Sequence, residues 1–390
     1  MNNLPSWPNF TKEEINSVSR VLSSNKVNYW TGNECKEFES EFCRFSNSKF
    51  SIALSNGTVA LDLALIALDI KKGDEVIVTP RSFIASASSV VNIGARPIFS
   101  DIDPLTGNIT AEHIKKKITK KTKAVICVHL GGMPCEMDEI TSLAKEHKLY
   151  IIEDCAQAHG AQYKGKSVGS IGDIGAWSFC QDKIMTTGGE GGMVTTNNKH
   201  LWKKMWSYKD HGKNYSKVTS PSNKTGFKWL HDSFGTNWRM TEMQAAIGRI
   251  QLKKMDKWNK LRNRNAIQII KTLSKFPNTI NIPSQPSYVN HGFYRVYAAI
   301  KTDALKKGWT RDRIIEEINS LGVPCFSGSC PEIYREQSFI SSKLAPNKRL
   351  NNAKLLGEMS IAFLCHPNLR LKDLKLMTAN IEKIITKASF

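Results

Sequence analysis

The feature that most constrains this chain is a regular alternation of short apolar segments and helical segments over residues 51–196. The apolar segments predict strands at residues 51–54, 75–79, 97–101, 124–128, 149–152, 174–179 and 193–196. The sequence between them predicts helices at 59–68, 82–92 and 137–147. Strands that are apolar throughout are typical of a mostly parallel sheet covered by helices on both faces. The sequence therefore predicts an α/β fold.

The pattern changes after residue 196. Residues 207–236 are rich in Gly, Ser, Asn, Lys and aromatic residues, which predicts a long excursion over the surface. The remaining sequence predicts a long helix at 240–274, a strand at 293–300, a loop at 338–345, and helices at 311–321, 352–362 and 371–389. We therefore expect a large domain over residues 1–250 and a smaller C-terminal α+β domain over residues 251–390.

The composition excludes several classes of protein. With 41% hydrophobic and 23% charged residues, the chain is neither disordered nor collagen-like nor a coiled coil. The first residues lack the basic and apolar regions of a signal peptide, and the most apolar stretch, residues 59–70, contains two aspartates and is too short to cross a bilayer. The nine cysteines form no Cys-x-x-Cys pair, which argues against a disulfide framework or a zinc site. We expect a cytoplasmic protein without a metal site or membrane contact.

The chain is also strongly basic. It has 55 Lys and Arg residues against 35 Asp and Glu residues, a formal net charge of +20. Such a charge attracts anionic partners, which include nucleic acids, anionic lipids and phosphorylated metabolites. The lysines occur in short runs spread along the chain, and no helix-turn-helix pattern is evident. We therefore interpret the charge first as a solvated surface and second as an attraction for a phosphorylated substrate, with no nucleic-acid partner.

Polar side chains follow many of the predicted strands. Parallel sheets bind their ligands at the carboxyl ends of the strands. The residues found there are Ser55 to Thr58, Arg81 to Phe83, His129, Asp154 with Gln157, and Ser178 to Lys183. These residues are expected to gather at one edge of the sheet.

Each of these residues can carry chemistry, and each also has a structural explanation. The turn at 55–58 either binds a phosphate at a helix N-terminus or is an ordinary helix cap. Asp154 either holds a protonated pyridine nitrogen or caps the next helix. Lys183 is a candidate for Schiff-base formation, although a single lysine is more often a surface residue. Phe83 either stacks on a planar cofactor or packs in the core, and His129 is either an acid–base or substrate-binding group or a structural histidine.

The order of the motifs along the chain is much more specific than any one of them. The motifs are Ser55-Asn56-Gly57-Thr58, Gly73 to Ile77, Glu153 to Gly160, Ser178-Phe179 to Lys183, Thr186 to Gly192, and Asn237 to Ala246. In this order, over residues 28–260, the chain resembles the DegT/StrS family of sugar-nucleotide aminotransferases. These are pyridoxal-phosphate-dependent enzymes of fold type I, similar to aspartate aminotransferase. The resemblance is looser in the C-terminal third.

The resemblance implies roles for individual residues. Lys183 matches the lysine that bonds the aldehyde of the cofactor, and Asp154 matches the partner of its ring nitrogen. The other matches are Gln157 near the ring hydroxyl, Phe83 on the ring face, and Gly57, Thr58 and Ser178 around the phosphate. Asn237 matches an asparagine that reaches the phosphate in the neighbouring subunit, which implies a homodimer with a shared active site. Arg239 is implied to bind the donor carboxylate or the substrate diphosphate.

The same resemblance implies a reaction. The amino donor is expected to be L-glutamate and the acceptor a nucleotide-linked keto-deoxy sugar, with UDP-2-acetamido-4-keto-6-deoxyhexose as the specific expectation. Amination at carbon 4 would serve the synthesis of a surface polysaccharide such as the O-antigen of lipopolysaccharide. The alternatives are a 3-keto sugar, a keto-inositol, a sugar dehydrase reaction and a non-catalytic regulator.

Two sequence features bear on these expectations. Relatives that act as dehydrases carry His where this chain has Lys183, which argues against that alternative. The family usually has one glycine before the glutamate of the loop, whereas this chain has Gly188-Gly189-Glu190, so the conformation of that loop is left open.

Overall fold

The computed structural model describes residues 4–220 and 226–390. Its strands are β1 (Phe50–Leu54), β2 (Glu75–Val78), β3 (Arg96–Phe99), β4 (Thr122–Val128), β5 (Tyr150–Asp154), β6 (Gln162–Tyr163), β7 (Lys166–Ser167), β8 (Ile174–Ser178), β9 (Gly192–Thr196), β10 (Ile280–Asn281), β11 (Val289–Asn290), β12 (Arg295–Ile300), β13 (Cys325–Phe326) and β14 (Ser360–Leu364). Its helices are α1 (Lys12–Ser23), α2 (Glu34–Ser46), α3 (Gly57–Ala67), α4 (Ala85–Asn92), α5 (Ala111–Lys115), α6 (Met137–His147), α7 (Lys199–Tyr208), α8 (Tyr215–Thr219), α9 (Glu242–Leu273), α10 (Arg311–Ser320), α11 (Gln337–Ser341), α12 (Asn351–Met359) and α13 (Leu371–Ala388).

A seven-stranded sheet with the order β1-β9-β8-β5-β4-β2-β3 forms the centre of the molecule. Strands β3, β2, β4, β5 and β8 are parallel, and β9 is antiparallel to both of its neighbours. Alternate residues of one strand enter different cores: Val76 and Val78 pack with α3 and α4, while Ile77 packs with α6 on the other face. The predicted mostly parallel sheet, flanked by helices, is confirmed.

Local sequence explains where the two helices nearest the site begin. The Asn56 side chain caps α3 by accepting the Val59 N–H at 3.0 Å, and the helix that follows is apolar because it is buried against the sheet. The 32-residue helix α9 begins with a capping box, in which Thr241 and Gln244 bond each other's backbone N–H groups. The long helix predicted at 240–274 is therefore confirmed within two residues of each end.

A second, antiparallel sheet with the order β10-β12-β14-β13 lies in the C-terminal part of the chain. Its core includes side chains of α10, α13 and the second half of α9. A third sheet, β11-β6-β7, is short. Residue 250 lies inside α9 and not at the end of an element, and the division into domains at that residue stays a prediction.

Two predictions for the C-terminal part were wrong. The helix predicted at 352–362 ends at Met359, and Ser360–Leu364 is strand β14. The predicted loop at 338–345 contains the short helix α11. The central residues of β14, Ile361 to Phe363, are apolar and buried, and pairing with β12 decides their conformation, because a short apolar run alone does not distinguish a strand from a buried helix.

The helices were also compared with the dimensions of a bilayer. Among those that the structure describes, none is both long enough and apolar enough to cross one.

Candidate active site

A cavity of about 550 Å³ opens at the carboxyl edge of the parallel strands. Its walls come from the start of α3, the segment after β2, the end of β5, and the loop after β8. Seven of the residues singled out in the sequence line it: Gly57, Thr58, Phe83, Asp154, Gln157, Ser178 and Lys183. The sheet topology therefore brings together residues that are far apart in the sequence, as the rule for parallel sheets predicts.

The start of α3 forms one end of the cavity. The first N–H groups of a helix have no carbonyl partner within that helix, and here they belong to Gly57 and Thr58. A Cβ atom on Gly57 would lie 2.6 Å from the Cβ of Ser178, so only glycine allows the helix to approach the end of β8 this closely. The approach sets the Ser178 hydroxyl beside the helix N-terminus. N–H groups, a hydroxyl and the helix dipole together form a suitable site for a phosphate.

Asp154 lies at the end of β5 and is 5% exposed. The Ser86 hydroxyl donates to its Oδ2 at 2.8 Å, and the Ala156 N–H donates to its Oδ1 at 3.1 Å. Burial raises the pKa of Asp154, while the hydrogen bonds from Ser86 and Ala156 and the charge of Lys183 act in the opposite direction. A buried carboxylate of this kind is strongly stabilised by a cationic group that enters the cavity.

Lys183 lies in the same cavity with a side chain that is 16% exposed. Its Nζ is 3.2 Å from Oδ1 of Asp182 and 5.2 Å from the centre of the Tyr294 ring, and the Tyr294 hydroxyl donates to Asp182. Burial lowers the pKa of Lys183, but Tyr294 and Asp182 outweigh it, so the pKa is raised. Trp7 donates its indole N–H to the Lys183 carbonyl at 2.7 Å.

Sequence reasoning did not identify three of these contacts of Lys183. Asp182 directly precedes Lys183, and this adjacency is the one feature of the sequence that could have indicated its contact with the lysine. Tyr294 and Trp7 come from distant segments, and nothing in their local sequence indicates that they reach the lysine.

Gln157 and Phe83 lie on other walls of the cavity. Oε1 of Gln157 accepts the Gly131 N–H at 2.7 Å, which fixes the orientation of the amide. The Phe83 side chain is 67% exposed, so the alternative in which it packs in the core is excluded. An exposed phenyl ring on the wall of a cavity is available to stack on a planar ligand.

The glycine-rich segment folds the loop after Lys183 back toward α3. Gly188 and Gly189 have φ angles of 93° and 130°, which favour glycine. The N–H of Phe179 donates to the carbonyl of Gly191 at 2.8 Å and closes the base of the loop. The additional glycine therefore lies after Lys183, on the returning half of the loop.

His129 does not line the cavity. Its ring is fully buried, Nε2 is 3.0 Å from Oε2 of Glu153, and Nδ1 accepts the Cys135 N–H at 3.1 Å. Both ring nitrogens therefore have hydrogen-bond partners within the chain. Glu153, which the sequence analysis did not single out, also accepts N–H groups from the loop between β7 and β8. This geometry favours the structural alternative for His129, and its substrate-binding role stays a prediction.

Asn237 and Arg239 also lie outside the cavity of their own chain. Nη1 of Arg239 is 2.6 Å from Oδ1 of Asp210, a fully buried carboxylate that Lys213 also contacts, at 3.0 Å. Asn237 is exposed, and its Oδ1 is 3.4 Å from the Arg239 backbone nitrogen. The contact of Asn237 with a neighbouring subunit and the substrate contact of Arg239 both stay predictions.

Comparison with known proteins identifies the family. The model of the DegT/DnrJ/EryC1/StrS aminotransferase family matches residues 8–382. The chain belongs to this family. Aminotransferases of the DegT/DnrJ/EryC1/StrS family depend on pyridoxal phosphate, and the chain is accordingly a pyridoxal-phosphate-dependent sugar aminotransferase with the fold type I architecture.

Individual proteins are similar to this chain over most of its length. The crystal structure of the aminotransferase from Psychrobacter cryohalolentis is 57% identical and superimposes with a TM-score of 0.97 over 98% of this chain and 99% of that one. GDP-perosamine synthase from Escherichia coli O157:H7 is 40% identical over 76% of this chain and 77% of its own length. UDP-N-acetyl-3-dehydro-alpha-D-glucosamine 3-aminotransferase from Acidithiobacillus ferrooxidans is 36% identical over 75% and 76%, respectively.

Proposed function

We propose that this aminotransferase moves an amino group from L-glutamate to carbon 4 of a nucleotide-linked 4-keto-6-deoxyhexose, with UDP-2-acetamido-4-keto-6-deoxyhexose as the first candidate acceptor. The product would be a 4-amino sugar for a surface polysaccharide, made in the cytoplasm by a homodimer with shared active sites. The observation that carries the proposal is that Lys183 and Asp154 line a single cavity at the carboxyl edge of the sheet.

The residues of the cavity fit pyridoxal phosphate. Gly57, Thr58 and Ser178 form a cradle that a Cβ atom at position 57 would fill, and they would hold the phosphate. Asp154 is a buried carboxylate that would hold the ring nitrogen, and Lys183 is an amine at the same cavity that would hold the aldehyde end. A phosphate site, an anionic site and an amine thus match the three polar parts of the cofactor.

The reaction needs an electron sink and a movable proton. When bound, pyridoxal phosphate supplies an aldehyde carbon that bonds amines and a conjugated ring that takes up an electron pair from the neighbouring carbon. Lys183 would supply the proton transfer: its Nζ would accept a proton from the α-carbon of the amino donor and would donate a proton again later in the same half of the reaction. In the second half of the reaction the same amine acts in the reverse order, because an acid in one direction is a base in the other.

The surrounding residues hold this arrangement in place. Asp154 would hold the ring nitrogen through its negative charge, and the Ser86 and Ala156 hydrogen bonds fix the direction of its carboxylate. Asp182, which is bonded to Tyr294, holds the Nζ of Lys183 at one side of the cavity. The Phe83 ring would cover one face of the ligand and exclude water from it.

The first experiment tests the cofactor residues. Purified protein mixed with pyridoxal phosphate is expected to show a visible absorption band that is absent from Lys183→Ala. A Lys204→Ala variant is the control, because that lysine pairs with Asp69 on the surface. An unchanged band in Lys183→Ala would contradict the assignment of the lysine.

The second experiment tests the substrate. The protein is assayed with L-glutamate against UDP- and GDP-linked 4-keto-6-deoxy sugars and a UDP-linked 3-keto sugar, the last because a 3-aminotransferase is among the relatives. Mass spectrometry of the product separates amination from loss of water. Amination of the 4-keto sugars supports the proposal, and amination of the 3-keto sugar alone would refute it. Two substrates that use one site in turn also predict parallel initial-rate lines.

A further inference from the structure

The backbone of Lys183 is held on both sides, so its side chain is the part that can move. Its N–H donates to the Cys180 carbonyl at 3.0 Å, and its carbonyl accepts the Trp7 indole N–H at 2.7 Å. Within residues 4–220 and 226–390, the one carboxylate within 4 Å of Nζ is that of Asp182, whose Oδ1 lies at 3.2 Å. In the proposed reaction this amine bonds the aldehyde, leaves it and takes up a proton, so the contact with Asp182 bears on each of these steps.

A second side chain fixes the direction of the Asp182 carboxylate. The Tyr294 hydroxyl donates to Oδ2 of Asp182, while Oδ1 faces Lys183. Burial raises the pKa of Tyr294, so its hydroxyl keeps its proton and acts as a donor. Burial also acts to raise the pKa of Asp182, but the charge of Lys183 and the hydrogen bond from Tyr294 outweigh it, and the pKa is lowered. Asp182 is therefore ionised at neutral pH.

Tyr294 comes from a distant segment and is itself held in place. It directly precedes β12 and is buried, and its backbone N–H donates to the Gly131 carbonyl at 2.9 Å. The N–H of the same glycine donates to Oε1 of Gln157, which belongs to the wall of the cavity. The tyrosine and the cavity wall are thus attached to one turn, and Tyr294 reaches Asp182 from a fixed position.

Other titratable groups line the cavity or act on the amine and on Asp182: Asp154, Cys180, His159, Glu190 and Arg295. In the proposed function, Asp154 is occupied by the ring nitrogen of the cofactor. Burial raises the pKa of the Cys180 thiol and, together with the charge of Lys183, lowers the pKa of His159 to about 3, so both are neutral at neutral pH. Glu190 is exposed and faces Cys180, and Arg295 acts on Asp182. Asp182 is thus the carboxylate that balances a charge on the amine.

We propose that Asp182, oriented by Tyr294, is a positioning residue that makes Lys183 a stronger base. The inference rests on the proposed function in one respect, that Nζ takes the α-proton of the amino donor. In that step the bond between the α-carbon and its hydrogen breaks, the electron pair passes into the conjugated system, and Nζ changes from a neutral amine to an ammonium. Asp182 stabilises the ammonium and not the neutral amine, so its contribution grows as the proton is transferred.

The first test needs neither the cofactor nor a sugar. The full chain, freed of pyridoxal phosphate, is treated briefly with acetic anhydride, which acylates unprotonated amines, and mass spectrometry gives the reaction of each lysine at each pH. In Asp182→Asn the pH of half-maximal reaction at Lys183 should fall by about one pH unit, because the ammonium loses its carboxylate. A larger change is not expected, since the Asp182 side chain is 52% exposed and solvent screens its charge. Tyr294→Phe should lower the same value by less, because the carboxylate is then free to turn toward solvent.

The matched control is Asp69→Asn. Asp69 also forms an ion pair with a lysine, Lys204, at 2.7 Å, but it lies on the surface and does not line the cavity. This variant should leave the reaction of Lys183 unchanged, and Lys204 serves as the internal reference in Asp182→Asn. Asp182→Glu keeps the charge and should restore most of the difference. The melting temperature verifies that each variant is folded.

A second measurement connects the contact with proton transfer. Protein loaded with pyridoxal phosphate is mixed with L-glutamate or with glutamate deuterated at the α-carbon, and the loss of the visible band gives the rate of the first half of the reaction. Asp182→Asn should lower this rate about tenfold and raise the isotope effect, because the transfer of the proton becomes slower than the other steps. The glutamate concentration at half-maximal rate should stay unchanged, since Asp182 acts on the amine and not on the donor.

Two results would overturn the inference: a reaction of Lys183 that Asp182→Asn leaves unchanged in a folded protein, or a changed reaction of Lys183 with an unchanged rate and isotope effect. Failure of the proposed function gives a different result. If no keto sugar is aminated, yet Asp182→Asn changes both the reaction of Lys183 and the isotope effect, the role of Asp182 stands and the proposed acceptor is wrong.

Discussion

The edge of the central sheet and the surface segment formed by residues 207–220 and 226–239 differ in how many of their side chains have partners within the chain. At the sheet edge, Asp154 accepts a hydrogen bond from Ser86 of α4, and Lys183 contacts the ring of the distant Tyr294 and the carboxylate of its neighbour Asp182. In the segment, Phe227, Trp229 and Phe234 are 76%, 78% and 99% exposed, and Asn237 is exposed as well. Large exposed aromatic groups are typical of a surface that another molecule covers. One chain thus builds the chemistry at the sheet edge, whereas these exposed aromatic side chains have the character of a surface that the proposed homodimer would cover.

The largest effect is expected at the sheet edge, from Lys183→Ala. Activity should fall by about 10⁴-fold, because the variant loses the amine that moves the proton as well as the group that holds the aldehyde end of the cofactor. The rate of amino transfer from glutamate measures it. A residual rate within tenfold of that of the unmodified protein would show that Lys183 does not carry the chemistry at the sheet edge.

Asp154→Asn is expected to have the next largest effect. The amide keeps the shape of the side chain but removes the charge that would hold the ring nitrogen protonated, so kcat/KM for the donor should fall by about 10²- to 10³-fold. Ser86→Ala removes one hydrogen bond to the same carboxylate and should cost about tenfold. An equal loss of kcat/KM in the two variants would mean that Asp154 contributes by orienting its carboxyl group and not through its charge.

Gly57→Ala should weaken cofactor binding by about tenfold, because the added Cβ atom would lie 2.6 Å from the Cβ of Ser178 and force α3 away from β8. Titration with pyridoxal phosphate, followed by the visible band, measures the affinity. The double variant Gly57→Ala/Ser178→Gly restores the space and should recover part of the loss. Equal affinity in Gly57→Ala would contradict the close approach of the two elements.

A substitution in the surface segment, Arg239→Met, should lower the free energy of unfolding by about 1–3 kcal/mol. The reason is that the buried carboxylate of Asp210 would keep only its contact with Lys213. The melting temperature and the KM for the nucleotide sugar are measured together. We expect a lower melting temperature and an unchanged KM. The reverse pattern would restore the substrate contact that the sequence predicts for this arginine.

Among these variants, His159→Leu is expected to have the smallest effect on stability at neutral pH. Burial, with a smaller contribution from the charge of Lys183, lowers the pKa of His159 from its ordinary 6.5 to about 3. Between these pH values the unfolded chain binds a proton that the folded chain does not, so stability falls as the pH falls.

Removing this histidine should therefore flatten the dependence of the melting temperature on pH between 6.5 and 3. His147→Leu, at an exposed position near the end of α6, is the matched control. Parallel curves for His159→Leu and the unmodified protein would show that His159 does not take part in acid destabilisation.

The sequence predicted the sheet edge well because a topological rule determines it. All parallel strands end at the same edge, so a residue type and its offset from a strand end are enough to locate Asp154, Ser178 and Lys183. Strand β14 was missed because its apolar residues carry no distinguishing period, and only pairing with β12 makes them a strand.

The features of the site that the sequence did not predict depend on contacts between distant segments. The chemical types of His129 and Arg239 suit a binding site, but His129 bonds to Glu153 and Arg239 bonds to Asp210, and these partners come from other parts of the chain. The ring of Trp7, in the N-terminal segment, lies 5.0 Å from the guanidinium of Arg262 in α9, although the two residues are far apart in the sequence. Such encounters depend on the packed structure and leave no pattern in the local sequence.

The loop that carries Lys183 is closed at its base, where Ser178 of β8 pairs with Gly192 of β9. Its outgoing half is short and bears the lysine, while its returning half contains the flexible glycines. During evolution, a residue can therefore be inserted or deleted in the returning half while the lysine keeps its distance from the strand that anchors it. The additional glycine of this chain lies in that returning half, so it lengthens the loop without changing the number of residues between β8 and Lys183.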